Sequence, residues 1–249
     1  MRWFGYAFQA NGLNQGRRRG HVLGNPEVDI FKLPAAEVGR NLSHPEGEVG
    51  IAVGEFMNRA NLGISREAYK RLAARPGDRV LEVGPGNGVL ISEIVSPTNG
   101  VNYTGLDIST TMIEYANEGN VDLLKEGRVK LVLASVESIP FEDASFDRAV
   151  TVNCIYFWDI PRALSEIRRV LVPGGLLVVA SNTPATMKGN PFVREENGFR
   201  NIMLDRDTLR ERHEAAGFSS VEIEECNEPA KRPDGTPYVR SFYMVMSKK

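Results

Sequence analysis

The stretch RVLEVGPGNGVL, residues 79–90, decides the fold. Residues 80–83 read as a short buried strand, and the chain leaves it through Gly84, Gly86 and Gly88, three glycines spaced two apart. Glycine loses more backbone entropy on folding than any other residue. It is placed in such a turn where the backbone takes positive φ or where something approaches it closely. The carboxyl end of a strand is also where open α/β sheets bind ligands. By this reading Gly84 and Gly86 let the backbone pass against a ligand, and Gly88 lets the following helix sit close to the sheet.

Outward from this turn the chain alternates. Strand-like runs fall at 80–83, 103–107, 129–134, 149–152 and 176–180. Helical patterns at 89–95, 110–117 and 162–171 lie between them, the last with Leu164, Ile167, Val170 and Leu171 on one face. Strands alternating with helices at this interval imply right-handed crossovers and a parallel sheet. Upstream, Val49, Ala52, Val53, Phe56, Met57 and Ala60 recur at helical spacing, and a second helix is expected with Ser65 as its N-cap. Downstream, 182–204 is polar and irregular, and 205–216 is a helix closed by Gly217. Two strands, 220–225 and 239–246, then flank a segment with three prolines, which suggests an antiparallel pair at one end of the sheet.

Composition bounds the function. The 249 residues are 42% hydrophobic and 25% charged with a net charge of −2, so no global bias favours nucleic acid. Residues 1–26 carry Arg2, Arg17, Arg18 and Arg19 and no acid, so they hold +4 and the remainder −6. This segment reads as a partly ordered arm through residue 45. Trp3, Phe4, Tyr6 and Phe8 give it the means to lid a site or to dock on a second copy as a homodimer contact. Cys154 and Cys226 stand far apart with no CxxC partner, which fits a reducing cytosol and a cytoplasmic location. The three histidines lack HExxH spacing, so no metal is expected; no apolar run is long enough to span a membrane, and no signal peptide is discerned.

The glycine spacing G-x-G-x-G matches neither a dinucleotide fingerprint nor a phosphate loop. Two carboxylates refine the reading. Glu82 lies within the strand end, and Asp107 closes the second strand, where a carboxylate accepts hydrogen bonds from the two hydroxyls of a ribose. Ile108 and Met112 then offer apolar surface to an adenine, and Ser109 is available to cap the helix in place of Asp107.

VLEVGPGNG, LDIS with Met112, SVESIPFEDASFDRAV and IRRVLVPGGLLVV occur in this order over 65–217. Together they resemble class I S-adenosylmethionine-dependent methyltransferases, of the small-molecule type similar to the ubiquinone and menaquinone C-methyltransferases. The resemblance implies a Rossmann-like α/β fold, a seven-stranded mostly parallel sheet with helices on both faces and a C-terminal antiparallel strand. It implies a domain over 46–249, with helices at 46–75 and an acceptor-site insert at 182–204. It also implies S-adenosylmethionine as cofactor. Gly84, Gly86 and Gly88 would line the methionine moiety with Glu82 nearby, Asp107 would hold the ribose, and Ile108 and Met112 would flank the adenine. Val136 would present its N–H to the adenine edge. The acidic residue common just before that position is here Ser135, which could bond the adenine amino group, as could Glu137.

Asn153, just past the fourth strand, faces the place where methyl donor and acceptor should meet. Tyr156, Phe157 and Trp158 read either as a packing cluster or as an aromatic wall for the acceptor. His44 is a candidate general base. His213, in a charged helix, is expected at the surface, and Cys154 as a core filler. Asn153-Cys154-Ile155-Tyr156 lacks the prolines of the Asn-Pro-Pro-Tyr motif of amide and adenine N-methyltransferases, which excludes that chemistry.

The expected function is methyl transfer to a small organic acceptor. A macromolecular acceptor touched by Arg17, Arg18 and Arg19, or a non-catalytic nucleoside-binding protein of the same fold, stays open. A nicotinamide oxidoreductase is disfavoured by the glycine spacing and the missing Tyr-x-x-x-Lys dyad.

Overall fold

The computed structural model describes residues 28–231 and 236–249. The expectations placed on the aromatic and arginine-rich start of the chain lie outside the described residues. Seven strands, β1 (Arg79–Val83), β2 (Asn102–Asp107), β3 (Val129–Leu133), β4 (Phe146–Val152), β5 (Leu171–Asn182), β6 (Ser220–Lys231) and β7 (Pro237–Lys248), form one sheet in the order β3-β2-β1-β4-β5-β7-β6. Strands β1 to β5 pair in parallel, and β7 runs antiparallel between β5 and β6. The strand order reverses between β1 and β4, and in sheets of this kind the crevice beyond the carboxyl ends at such a reversal is where ligands bind.

Side chains alternate across the sheet, so both faces carry apolar layers. Leu81, Val83, Leu106, Ala149, Leu177, Val179 and Val245 face one core with α6 (Ile160–Val170) and α8 (Arg206–Ala215). Val80, Tyr103, Val150, Val178, Ala180 and Met244 face the other, beneath α2 (Gly47–Leu72) and α3 (Ile91–Val95). On the first face, Asp159 caps α6 by accepting the N–H of Arg162, and Leu164, Ile167 and Val170 bury its apolar stripe. The remaining helices are α1 (Ala35–Ser43), α4 (Thr110–Gly119), α5 (Val121–Lys125) and α7 (Pro184–Met187). None of the described helices is long and apolar enough to cross a membrane.

Three expectations are corrected. The two helices read over 46–75 are one, and Ser65 is buried in its interior rather than capping a second. Ile64, Ala68 and Leu72, one turn apart and fully buried, carry the helix through the capping-type residues Asn61 and Ser65. Helix α2 ends where Ala73 turns left-handed at φ 46°. His213 is fully buried, its Nδ1 2.8 Å from the Ser247 hydroxyl, because it lies on the face of α8 that meets β7. The pairing of β6 with β7 runs on through 231 and 237, well into the proline-bearing segment read as a connection.

Candidate active site

Gly84, Gly86 and Gly88 all have positive φ, at 73°, 58° and 70°. Two of them answer to different neighbours. A Cβ at Gly84 would lie 2.3 Å from Cys154 Sγ, so the loop after β4 occupies that space. At Gly86 nothing lies within 4 Å, and the backbone there is open to a ligand. The close packing at Gly88 is with Ala116 of α4 and the Asn120 amide, not only with the helix that follows it.

Asp107 ends β2 and is 8% exposed. Oδ2 accepts the N–H of Gly86 at 3.2 Å, and Oδ1 accepts that of Ser109 at 2.9 Å. Burial pushes its pKa up to about 6 against these two bonds and the field of His44. Ser109 caps α4 by accepting the Met112 N–H at 3.1 Å, which leaves Asp107 to face the loop. The Ser109 hydroxyl also donates to the Pro45 carbonyl, and Gly47 N–H to Thr111 Oγ1, so the joint between α1 and α2 is tied to the end of β2.

Beside Asp107, Ile108 is 44% exposed and Leu133, its neighbour at the end of β3, 52%. They leave apolar surface open at the carboxyl edge of the sheet. Met112 does not share it: it is fully buried, with its sulfur in the packing against Gly54 of α2. Ser135 Oγ accepts the Glu137 N–H at 3.1 Å and Val136 is buried. Glu137 is engaged elsewhere, accepting the Asp159 N–H at 2.8 Å and lying 3.7 Å from Arg200.

On the other side of the crevice Asn153 is left-handed at φ 57°. Its Nδ2 donates to Asn61 Oδ1 at 3.0 Å, and its Oδ1 accepts from Asn182 N and the Tyr156 hydroxyl, both at 3.2 Å. Tyr156 is buried, and burial raises its pKa. Phe157 packs edge-on against Phe199 of the 182–204 segment at 4.7 Å. Cys154 is held up to about 12 by burial and by the Asp107 charge, as befits a packing thiol. His44 is exposed at the end of α1, 3.5 Å from Glu46.

Several residues here carry no local signal in the sequence. Buried Arg240 of β7 donates to Asn182 Oδ1 (2.7 Å), Asn61 Oδ1 (2.9 Å), the Ala60 carbonyl and Glu228 (3.2 Å). It thereby clamps α2 to the end of β5 and to β6. Asn58 of α2 donates to Asn87 in the glycine loop at 2.9 Å. Tyr69 and Tyr103 both donate to Glu82. These partners lie up to 180 residues apart, and only the fold brings them together.

Comparison with known proteins bears on the domain and the fold. Residues 81–179 match the model of a family described as a methyltransferase domain. The O-methyltransferase resE of Aspergillus sclerotiorum is 36% identical over 127 residues, 51% of this chain and 48% of that protein. The ubiquinone/menaquinone biosynthesis C-methyltransferase UbiE of Geotalea daltonii is 34% identical over 132 residues, 50% of this chain and 56% of that protein. The matched stretch thus spans about half the length of these relatives. Among solved structures, the complex between the Haloferax volcanii Trm112 methyltransferase activator and a methyltransferase aligns with a TM-score of 0.63. The alignment has 20% identity and covers 78% of this chain and 92% of that one. Residues 81–179 thus match a methyltransferase domain, and the chain shares the fold of the solved methyltransferase.

Proposed function

We propose that the protein transfers the methyl group of S-adenosylmethionine to a small organic acceptor by in-line displacement. The observation that carries this reading is the Asp107 carboxylate, buried and aimed by two backbone N–H groups beside the open backbone of Gly86. A carboxylate so placed fits the paired hydroxyls of a ribose. The exposed Ile108 and Leu133 next to it fit an adenine face, bounded by Ser135 and Val136. Gly84 and Gly86 would face the amino-acid end, with Glu82 beneath and Asn153 across the crevice.

When bound, S-adenosylmethionine supplies a methyl group already activated on a sulfonium. The chain's own contribution is alignment and exclusion of water. Asn153 and Tyr156, bonded to each other and to Asn182, fix the wall of the crevice rather than exchange protons. An acceptor that ionises by itself, such as a phenol or an enolisable carbonyl, then needs no strong base; among the described residues His44 is the imidazole whose field acts on Asp107. Cover supports a small acceptor. Helix α1 packs on the 182–204 segment so tightly that a Cβ at Gly39 would meet Asn197 at 2.2 Å, and Val38, Ala52 and Val53 close over it with Phe192. The O- and C-methyltransferase names of the relatives support the same class of acceptor.

The test is incubation with S-adenosylmethionine and a panel of phenols and 1,3-dicarbonyls, following release of S-adenosylhomocysteine. Turnover with a panel member, and none with RNA or protein, is the expected result. Methylation of RNA or protein alone would overturn the small-acceptor reading.

A further inference from the structure

Glu82 is the second carboxylate of the crevice, and its surroundings differ from those of Asp107. It is 4% exposed, on the face of β1 that meets α2. Oε1 accepts the Tyr69 hydroxyl of α2 at 2.8 Å, and Oε2 accepts the Tyr103 hydroxyl of β2 at 2.7 Å. Each carboxylate oxygen therefore has one phenol donor, and the two come from opposite sides. Lysine or arginine in either place would cancel the charge. A phenol stabilises the anion by hydrogen bonding and leaves the charge uncancelled.

The other ionisable groups around the cluster do not cancel it either. Asp107 and the Cys154 thiol act on it from the ends of β2 and the loop after β4. Glu93 of α3 faces Tyr69, but its carboxylate is taken by Arg66 in a two-pronged ion pair at 2.7 to 3.1 Å. A buried anion bound only by neutral donors is unfavourable in an apolar layer of Ile64, Ala68 and Val80. A carboxylate so perturbed at the ligand end of the sheet is a candidate for a functional role.

We propose that Tyr69 and Tyr103 are positioning residues that hold Glu82 ionised as the counter-charge for the ammonium at the cofactor's amino-acid end. The proposal rests on the reading of this crevice as the S-adenosylmethionine site, and it adds two residues outside the glycine loop, one of them on the covering helix. Burial raises the pKa of Glu82 while the two phenols oppose the rise, so removing one phenol moves it further up. The carboxylate then takes up a proton at a higher pH, and the site loses its hold on the ammonium there.

The experiment is calorimetric titration of the full chain with S-adenosylhomocysteine and with 5′-methylthioadenosine, which keeps the nucleoside and lacks the amino acid. Wild type, Tyr69→Phe, Tyr103→Phe and Glu82→Gln are compared between about pH 5.5 and 8.5. Each Phe variant is expected to lose about tenfold in S-adenosylhomocysteine affinity near pH 6 and less at the alkaline end. The homocysteine ligand's pH profile moves upward while methylthioadenosine binds as to wild type. Glu82→Gln loses the homocysteine ligand at every pH, with a flatter profile. Unchanged methylthioadenosine binding certifies a folded site in each variant, and two separate Phe variants guard against one failing to fold. Equal loss of both ligands, or an unmoved pH profile in the Phe variants, overturns the tyrosine assignment while the cofactor reading stands. A wild type that binds neither nucleoside overturns both.

Discussion

The Oδ2 atom of Asp107, at the end of β2, accepts the backbone N–H of Gly86, in the loop that leaves β1, at 3.2 Å. This single bond links the acid and the glycine turn that the sequence places 21 residues apart. It also fixes the carboxylate in the one part of the loop with no protein atom above the glycine.

The arrangement has a cost in the free protein that pH reveals. Burial raises Asp107 from 3.8 to about 6, so its contribution to stability is full below pH 3.8 and is lost as pH rises through 6. An Asp107→Asn variant lacks this dependence, although it keeps only one acceptor for the two N–H groups. Urea unfolding of both chains in the absence of ligand is expected to show the variant gaining on wild type by roughly 3 kcal/mol between pH 4 and pH 7. Parallel stability curves would show that the carboxylate is not desolvated.

Two glycines of the loop separate folding from binding. Gly84→Ala puts a Cβ 2.3 Å from Cys154 Sγ at φ 73°, and is expected to destabilise the fold by about 2 to 4 kcal/mol. Cys154→Ala in the same chain should recover part of this, a coupling that a double-mutant cycle measures. Gly86→Ala meets nothing and costs about 1 to 2 kcal/mol through its φ of 58° alone, yet it fills the ligand's approach and should abolish nucleoside binding. A Gly86→Ala chain that binds like wild type would place the ligand elsewhere.

His213 makes the fold acid-sensitive away from the crevice. Burial lowers its pKa from 6.5 to about 4, and its Nε2 has no hydrogen-bond partner to receive a proton's charge. The unfolded chain takes the proton first. Stability is therefore lost as pH falls from about 6.5 to about 4, by roughly 3 kcal/mol, and levels off below. His213→Leu should remove that slope at a fixed cost of about 1 to 3 kcal/mol for the Ser247 hydroxyl left without its partner. Circular-dichroism melts at stepped pH read both effects, and an unchanged slope in the variant would assign the sensitivity to another group.

The sheet was legible because its signals are local. Short apolar runs mark the parallel strands, Ser109 and Asp205 cap their helices where they stand, and the glycine turn announces the end of β1. What the sequence did not disclose depends on partners far along the chain. Ser65 looks like a helix start until Ile64, Ala68 and Leu72 are seen buried on one core. His213 reads as exposed among charges until β7 is laid against α8. Met112 and Asn153 were placed at the right ends of the right elements, but the directions of their side chains follow from α2, which crosses both. Arg240, Tyr69 and Tyr103 have no motif, and their roles exist only after the sheet is assembled.

The central claim, that Asp107 anchors S-adenosylmethionine in this crevice, is tested most directly by calorimetric titration of wild type and Asp107→Ala with S-adenosylmethionine and S-adenosylhomocysteine. Micromolar binding to wild type, weakened about tenfold or more by the substitution (about 1.4 kcal/mol), is the expected result. Equal binding to the two chains would remove Asp107 from the site, and no binding to wild type would contradict the account.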